Sequence, residues 1–240
     1  MSAFTQFGFG PTGWGGFLLL GASVTVAVTL ASLAIGAVLG SGVAAAKLSQ
    51  SLALRLVGDV YTTVFRGVPE LLIIYLFYFG GSSVLSAIGR LFGHEGFVGV
   101  PTFLAGALAV GIISGSYQAE VFRGAFQAVS RGEIEAARAV GMNGLLRFRR
   151  IIAPQVFRFA LPGLGNVWQL SLKDSALISV TGLAELMRNS QVGAGSTHDY
   201  FGFYVAGGAL YLLMTAVSNR IFDAAEVRTG KSFRRPVHTA

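Results

Sequence analysis

Long apolar runs alternate with short charged segments along the chain. Residues 1–46 carry no ionisable side chain, and further uncharged runs cover 71–89, 97–119 and 200–219. Each run has about the length or more that a helix needs to cross a bilayer core, roughly 20 residues. A weaker run is apolar apart from Lys173 and Asp174. The pattern predicts one all-α membrane domain over residues 1–240, with five spans at about 17–46, 52–89, 97–122, 159–183 and 200–222.

The second predicted span is interrupted near Pro69, because proline lacks the backbone donor that a helix interior needs. Arg66 and Glu70 stand beside it. Two registers are open. Either 71–89 crosses the membrane alone and RGVPE lies at the cytoplasmic edge, or a longer broken helix starts near Leu52 and buries these charges. We favour the broken helix.

The composition agrees with a lipid environment. Only 12% of the residues are charged, 53% are hydrophobic, and the mean hydropathy is +0.64. The net charge of +7 does not indicate a nucleic-acid partner, because the basic residues lie between apolar runs rather than along an aromatic binding surface. The chain has no cysteine, which excludes disulfides and thiolate metal sites.

Lysine and arginine are distributed unevenly between the two sides of the predicted bundle. Fourteen of the 18 fall in segments on one side, Arg90 and Arg188 fall on the other, and Arg66 and Lys173 fall within spans. Because cytoplasmic loops carry the excess of basic residues, we expect the N-terminus outside and the C-terminus in the cytoplasm. The first apolar run has no Lys or Arg before it and exceeds the length of a signal sequence, so we expect an uncleaved anchor.

Residues 131–154 are unusually polar for this chain. The pattern predicts a short helix from Arg131 to Val140, a break at Gly141, and a second short helix from Gly144 to Ile152 that is stopped by Pro154. Neither helix is long enough to cross a membrane. Glu135 and Arg138 are spaced so that their side chains can meet on one face, and the apolar residues Ile134, Leu145, Leu146, Phe148, Ile151 and Ile152 can act as anchors.

This segment resembles the cytoplasmic signature of ABC importer permeases, which reads E-A-A, three residues, Gly, nine residues, then I-x-x-P. Its members here are Glu135-Ala136-Ala137, Gly141, Ile151 and Pro154, with Ala153 where the general pattern has Leu. The blocks YTTVFRGVPELL, SYQAEVFRGAFQAV and ALPGLGNVWQLSLKDSALISVTGL are similar to those of polar amino acid permeases. Within that family the chain is most similar to the Q-type subunits for histidine, lysine, arginine, ornithine and opines.

The resemblance implies the fold and partners of such an importer. We expect a type I ABC importer permease fold in the bacterial inner membrane, with residues 131–154 as the coupling helix that docks on a separate ATPase subunit. The expected partners are a paralogous permease subunit, two ATP-binding subunits that hold ATP and Mg²⁺, a periplasmic solute-binding protein, and membrane lipid. The residues expected at the ATPase contact are Glu133, Glu135, Ala136, Ala137, Arg138, Gly141, Leu145, Ile151 and Pro154.

The sequence contains no complete motif for enzymatic chemistry. Gly230-Lys231-Ser232 ends like a P-loop, but the first glycine of that motif is replaced by Ala225. Gly8 to Gly13 formally matches a dinucleotide-binding motif, without the surrounding strands and helix that the motif requires. The histidines, His94, His198 and His238, are scattered over predicted loops and a tail. We therefore expect no catalytic residues, no metal site and no cofactor bound by this chain.

Ionisable residues within predicted spans are candidates for a translocation pathway, because a charge at that depth is costly unless it is paired or faces water. Glu120 has Arg123 three residues later, so a local ion pair is the simpler interpretation for it. A basic amino acid would need carboxylates for its side chain, which Glu70, Glu120 and Asp174 could supply. The candidate pathway residues are Arg66, Glu70, Glu120, Lys173 and Asp174.

Two other functions are alternatives to an ATP-driven importer of polar, basic amino acids or opines. A secondary amino acid transporter or channel independent of ATP would often show internal inverted repeats, and no convincing repeat relates the two halves. Such a protein would also have no use for a coupling segment. A membrane scaffold that only docks a cytoplasmic protein is the other alternative.

Overall fold

The computed structural model describes residues 6–10, 13–93 and 96–231, and within these ranges the chain is helical and forms no strand. His94, His238, Arg234 and Arg235 lie outside the described residues, as do Pro11, Thr12 and Ser232 of the two discarded glycine motifs. The α-helices are α1 (Gly15–Lys47), α2 (Leu52–Gly67), α3 (Glu70–Tyr75), α4 (Gly81–Leu91), α5 (Thr102–Gln127), α6 (Arg131–Ala139), α7 (Gly144–Arg147), α8 (Ala153–Asp174), α9 (Leu186–Thr197) and α10 (Tyr200–Lys231).

Helices α1 and α5 form the centre of the bundle and pack through glycine. A Cβ atom added to Gly36 would lie 2.3 Å from Oγ of Ser114, and one added to Gly40 would lie 2.9 Å from the carbonyl oxygen of Gly115. Such small residues let two helix backbones approach closely, which is how helices associate in lipid. The surrounding core holds Val28, Ile73, Ile74, Ala107, Ala109, Val110, Ile113, Ile178 and Leu183.

The chain leaves its helical path between α2 and α3. Val68 is extended, with ψ of 137°, and Pro69 directly precedes Glu70 at the start of α3. A residue before proline is pushed away from helical geometry, which explains the break. From Glu70 the helix runs through a π turn at Leu76–Gly80 into α4. This stretch, Glu70–Leu91, is by itself long and apolar enough to cross a membrane, so both predicted registers stay open.

Four described helices are long and apolar enough to cross a membrane, judged by length and composition: Gly15–Lys47, Glu70–Leu91, Thr102–Gln127 and Tyr200–Gly230. The remaining predicted span, 159–183, falls on α8 and a 3₁₀ segment at Ser175–Thr181. Arg158, Lys173 and Asp174 make this region more polar than the others. The all-α fold is confirmed, whereas the crossing of the membrane by α8 stays a prediction.

The prediction that Pro154 stops a helix is wrong. The chain stays helical from α7 through a π turn at Phe148–Ile152 directly into α8, which has Pro154 in its first turn. Proline has a helical φ, but within a continuous helix it removes one backbone donor and crowds the preceding turn. The wider π turn before it relaxes the usual hydrogen-bond pattern. Residues 144–174 therefore form one continuous helical rod rather than a short helix that ends at the proline.

Candidate functional site

The segment between α5 and α8 is a helix, a tight turn and a second helix start. Gly141 has φ of +80°, and its N–H donates to the carbonyl of Arg138 at 2.9 Å. The N–H of Met142 donates to the carbonyl of Ala137 at 3.1 Å. These two bonds form the Schellman motif that ends a helix on a left-handed glycine. The side chain of Asn143 then accepts from the N–H of Leu146 at 2.8 Å and caps α7.

A groove of about 490 Å³ lies between α6 and the start of α8. Val140 and Leu145, beside the turn, are 73% and 78% exposed, so apolar surface faces away from the bundle. Glu133 accepts a hydrogen bond from Gln155 across the groove and ties α6 to α8. The groove is lined by Glu133, Ala136, Ala137, Val140, Met142, Arg150, Ile151, Pro154 and Gln155.

The other side of α6 carries Glu135 and Arg138, which line a second groove of about 390 Å³ with Arg131 and Arg147. The two side chains are not among the ion pairs of the described residues, although their spacing allows contact. An exposed pair gains little over hydration, which accounts for this. The structure thus places Glu133, Ala136 and Ala137 on one side of α6 and Glu135 and Arg138 on the other, with Gly141 just after its end. Of the other predicted contact residues, Leu145 lies on α7, Ile151 in the π turn and Pro154 on α8.

A cluster of charges joins the end of α1 to the middle of α2 and to the last part of α5, and we call it the Lys47 cluster. The amine of Lys47 contacts Asp59 Oδ1 at 2.9 Å, Thr62 Oγ1 at 2.9 Å, and the carboxylate of Glu120. The other oxygen of Glu120 accepts from Arg123 at 2.8 Å. The expected pair of Glu120 and Arg123 is therefore present, but it is one part of a larger network. Sequence reasoning assigned Lys47 to a loop and missed its role in this network.

Three of the five candidate pathway residues, Arg66, Glu70 and Asp174, lie near the aromatic side chain of Tyr117. The guanidinium of Arg66 lies 5.3 Å from the ring centre of Tyr117, a cation–π contact. Glu70 and Asp174 lie near enough to Tyr117 to act on it electrostatically. Lys173 is exposed and Asp174 half-buried, so the two neighbours have different surroundings. Tyr117 was missed, because a neutral tyrosine within an apolar run gives no charge signal.

A carboxylate that the sequence did not single out is fully buried at the start of α9. Glu185 has no exposed surface. It accepts from the N–H of Met187 and of Arg188, at 2.8 and 2.7 Å, and from the hydroxyls of Thr25 and Tyr211, at 3.3 and 3.2 Å. We call these groups the Glu185 cluster. Glu185 lay just beyond the predicted span, and an acidic residue directly before a helix start was the signal available for it.

A helical bundle with four described helices long and apolar enough to cross a membrane, and an exposed polar segment between two of its helices, is typical of a multi-pass membrane permease. The chain belongs to the family described as binding-protein-dependent transport system inner membrane component, which it matches over residues 36–231. It is therefore an inner membrane component of an ABC importer. Because the family members are permease subunits, ATP hydrolysis belongs to a partner ATP-binding subunit and this chain is not itself an enzyme.

Curated relatives and a solved structure agree with this family. The octopine transport system permease protein OccQ of Rhizobium radiobacter is 57% identical over 96% of this chain and 97% of its own length. The histidine/lysine/arginine/ornithine transport system permease protein HisQ of Salmonella typhimurium is 39% identical over 93% and 97%. A crystal structure of an amino acid ABC transporter with histidines matches 90% of this chain and 95% of its own, with a TM-score of 0.74 and 33% identity.

Proposed function

We propose that this chain moves basic amino acids or opines from the periplasm to the cytoplasm, as a permease subunit of an ATP-driven importer. The 57% identity to an octopine permease and the 39% identity to a histidine, lysine, arginine and ornithine permease support this solute class. The arrangement of Glu70 and Asp174 near Tyr117 and Arg66 provides both signs of charge for a zwitterionic, basic solute. Glu120 is already held by two cations and is a weaker candidate for solute contact.

The coupling role of residues 131–154 is carried by one observation: an exposed, apolar-edged groove on a rigid helix–turn–helix unit. The Schellman turn at Gly141 and the cap by Asn143 fix the angle between α6 and α7, while Val140 and Leu145 present uncovered apolar side chains. A partner ATPase that closes on ATP would move this unit as a body, and the bundle would follow between inward-facing and outward-facing states.

The proposed assembly contains more than this chain. A second, paralogous permease subunit completes the solute path, two ATP-binding subunits hold ATP and Mg²⁺, and a periplasmic solute-binding protein delivers the solute. The N-terminus lies in the periplasm and the C-terminus in the cytoplasm, as the distribution of Lys and Arg favours. Reporter tags at the two ends test this orientation, and a cytoplasmic N-terminus would contradict it.

The proposed function is tested by purifying the complex and measuring uptake. We expect a detergent-stable complex with an ATPase whose hydrolysis rate rises when the loaded solute-binding protein is added. In proteoliposomes, labelled arginine uptake should be competed by octopine, histidine or lysine, but not by leucine. Uptake that continues without ATP and responds only to an ion gradient would support a secondary transporter instead.

Substitutions at Gly141 test the coupling segment specifically. Gly141→Val should disrupt ATPase binding, because a β-branched residue is strained by roughly 1–3 kcal/mol in this left-handed conformation. Gly141→Asn is the matched control, since asparagine tolerates the same conformation. Both variants should insert in the membrane, and only the valine variant should lose co-purifying ATPase and uptake. If both variants assemble with the ATPase and transport equally well, the turn at Gly141 has no role in coupling.

A further inference from the structure

Most of helix α2 is exposed, and besides Tyr61, which donates to the carbonyl of Ile112 at 2.6 Å, and Phe65, which packs against the core, it meets the bundle mainly through Lys47. Only Gly58 and Thr62 of its residues are buried, and the rest of the helix is exposed or half-buried. Both buried positions contact the same side chain. A Cβ added to Gly58 would lie 2.5 Å from Cγ of Lys47, and Oγ1 of Thr62 accepts a hydrogen bond from Nζ of Lys47 at 2.9 Å. Lys47 therefore fills the place where α2 meets α1.

The amine of Lys47 uses all of its donors within this contact. A protonated lysine has three N–H bonds, and here the acceptors are Thr62, Asp59 and Glu120. The first two belong to α2 and the third to α5. The Lys47 side chain is only 11% exposed, whereas Asp59 is 60% exposed. Lys47 is thus a partly buried cation whose three acceptors come from two different helices.

Glu120 connects this cation to the segment that we assign to coupling. One carboxylate oxygen binds Lys47 and the other binds Arg123, one turn further along α5. Only residues 128–130 separate the end of α5 from the start of α6. A displacement of α6 therefore reaches Arg123 and Glu120 through a short connection.

Helix α2 leads in turn to the candidate pathway. It ends at Gly67, directly after Arg66, and Pro69 and Glu70 follow at the break. Because the backbone is interrupted there, α2 can tilt about the break without moving α3 and α4 by the same amount. The aromatic contact of Arg66 with Tyr117 of α5 would change with such a tilt.

We infer that Lys47, Asp59, Glu120 and Arg123 form an ionic latch that passes movement of the coupling segment to helix α2, with Lys47 as the positioning residue. This inference rests on the proposed function and adds the route by which coupling reaches the pathway. When α6 moves, the carboxylate of Glu120 shifts between its contacts with Lys47 and Arg123. The contacts of Lys47 with Asp59 and Thr62 of α2 then become stronger or weaker. The partly exposed geometry suits this exchange, because Glu120, Arg123 and Asp59 stay 23%, 34% and 60% exposed and water can solvate them on release.

The experiment uses the reconstituted complex and the absence of cysteine from this chain. Lys47→Met keeps the length of the side chain and removes its charge. We expect ATP hydrolysis to continue, but uptake per ATP hydrolysed to fall by about fivefold or more. A change of this size is typical of the interaction energy between two side chains in contact. Arg55→Met, at an exposed position of helix α2, is the matched control and should keep the ratio of the unchanged protein.

Chemical rescue separates a role for the charge from a role in folding. Lys47→Cys is treated with a thiosulfonate reagent that attaches an ethylammonium group, or with one that attaches a methyl group. We expect the ethylammonium adduct to recover uptake per ATP, the methyl adduct to remain uncoupled, and a reducing agent to reverse the recovery. The complex without the substitution receives the same reagents as a control for thiols in the other subunits.

A double-mutant cycle of Lys47→Met and Glu120→Gln completes the test. If the two side chains act through one contact, the double variant should lose about as much coupling as either single variant. Assembled complexes in which all Lys47 variants retain the normal ratio would overturn the latch and leave the proposed function intact. Failure of the unchanged chain to assemble with an ATPase would instead contradict the proposed function.

Discussion

The Lys47 cluster and the Glu185 cluster each use a carboxylate to join three helices, but they differ in what surrounds it. Glu120 is balanced by two cations and stays 23% exposed. Glu185 is fully buried and receives only neutral donors, two from the backbone at the start of α9 and one each from Thr25 and Tyr211. Helix α1 takes part in both, with Lys47 in one and Thr25 in the other.

The difference teaches which contact can move and which cannot. Charged groups released from the Lys47 cluster can be solvated, because three of its four members stay 23–60% exposed, so their separation costs less than opening a fully buried contact. Opening the Glu185 cluster would leave several buried donors without partners, each at about 1–3 kcal/mol. The first arrangement suits a contact that changes during transport. The second suits a joint that holds α1, α9 and α10 in place throughout.

The largest expected effect is on the fixed joint. Glu185→Ala should lower the free energy of unfolding by about 3–5 kcal/mol, because it leaves buried donors unpaired. This corresponds to a fall of at least about 6 °C in the thermal midpoint of the detergent-solubilised protein. Asp223→Ala, which removes an exposed carboxylate of α10, is the control and should change the midpoint little. A comparable midpoint for both variants would contradict the assignment of Glu185 as a fixed joint.

An intermediate effect is expected where α1 and α5 pack between the two clusters. Gly40→Val should destabilise the protein by about 1–3 kcal/mol, because its Cβ meets the backbone of α5 at 2.9 Å and the helices must separate. Gly42→Val lies two residues away on the same helix, where an added Cβ has no neighbour within 4 Å. Thermal midpoints of the two variants should therefore diverge, and equal midpoints would show that close packing is not what joins these helices.

The smallest expected effect separates the clusters by their response to salt. Raising NaCl from about 0.1 to about 1 M shortens the screening length from about 10 to about 3 Å. The stability difference between the unchanged protein and Lys47→Met should shrink by less than about 1 kcal/mol, as for a partly exposed ion pair. The corresponding difference for Glu185→Ala should stay constant, since its donors carry no charge. A salt response of the same size in both would remove the distinction.

Several features of the protein were predicted correctly from the sequence, and one local feature was not. The apolar runs and the motif from Glu135 to Pro154 led to the all-α fold and to the importer permease family, and both are confirmed. The break at Gly141 follows from glycine chemistry within four residues of chain. The continuation of the helix through Pro154 could not be foreseen, because it depends on the π turn that precedes the proline.

Local sequence patterns do not predict contacts between residues that are far apart in the chain. Glu185 and Thr25 are 160 residues apart, and Lys47 and Glu120 are 73 residues apart, so no local period relates them. Glu120 was interpreted through its neighbour Arg123, which is correct, but its second partner comes from another helix. Burial of Glu185 depends equally on helices that lie far from it in sequence.

The sequence by itself determined that this chain is a membrane protein, folds into helices and belongs to its transporter family. Those properties depend on the length of apolar runs and on local turn chemistry, which are properties of neighbouring residues. Only the tertiary structure decided which charges face each other, that Lys47 fills the contact between α1 and α2, and that Glu185 is buried among neutral donors. Helix packing sets these environments, because the surroundings of a charge depend on which distant backbone can approach it closely.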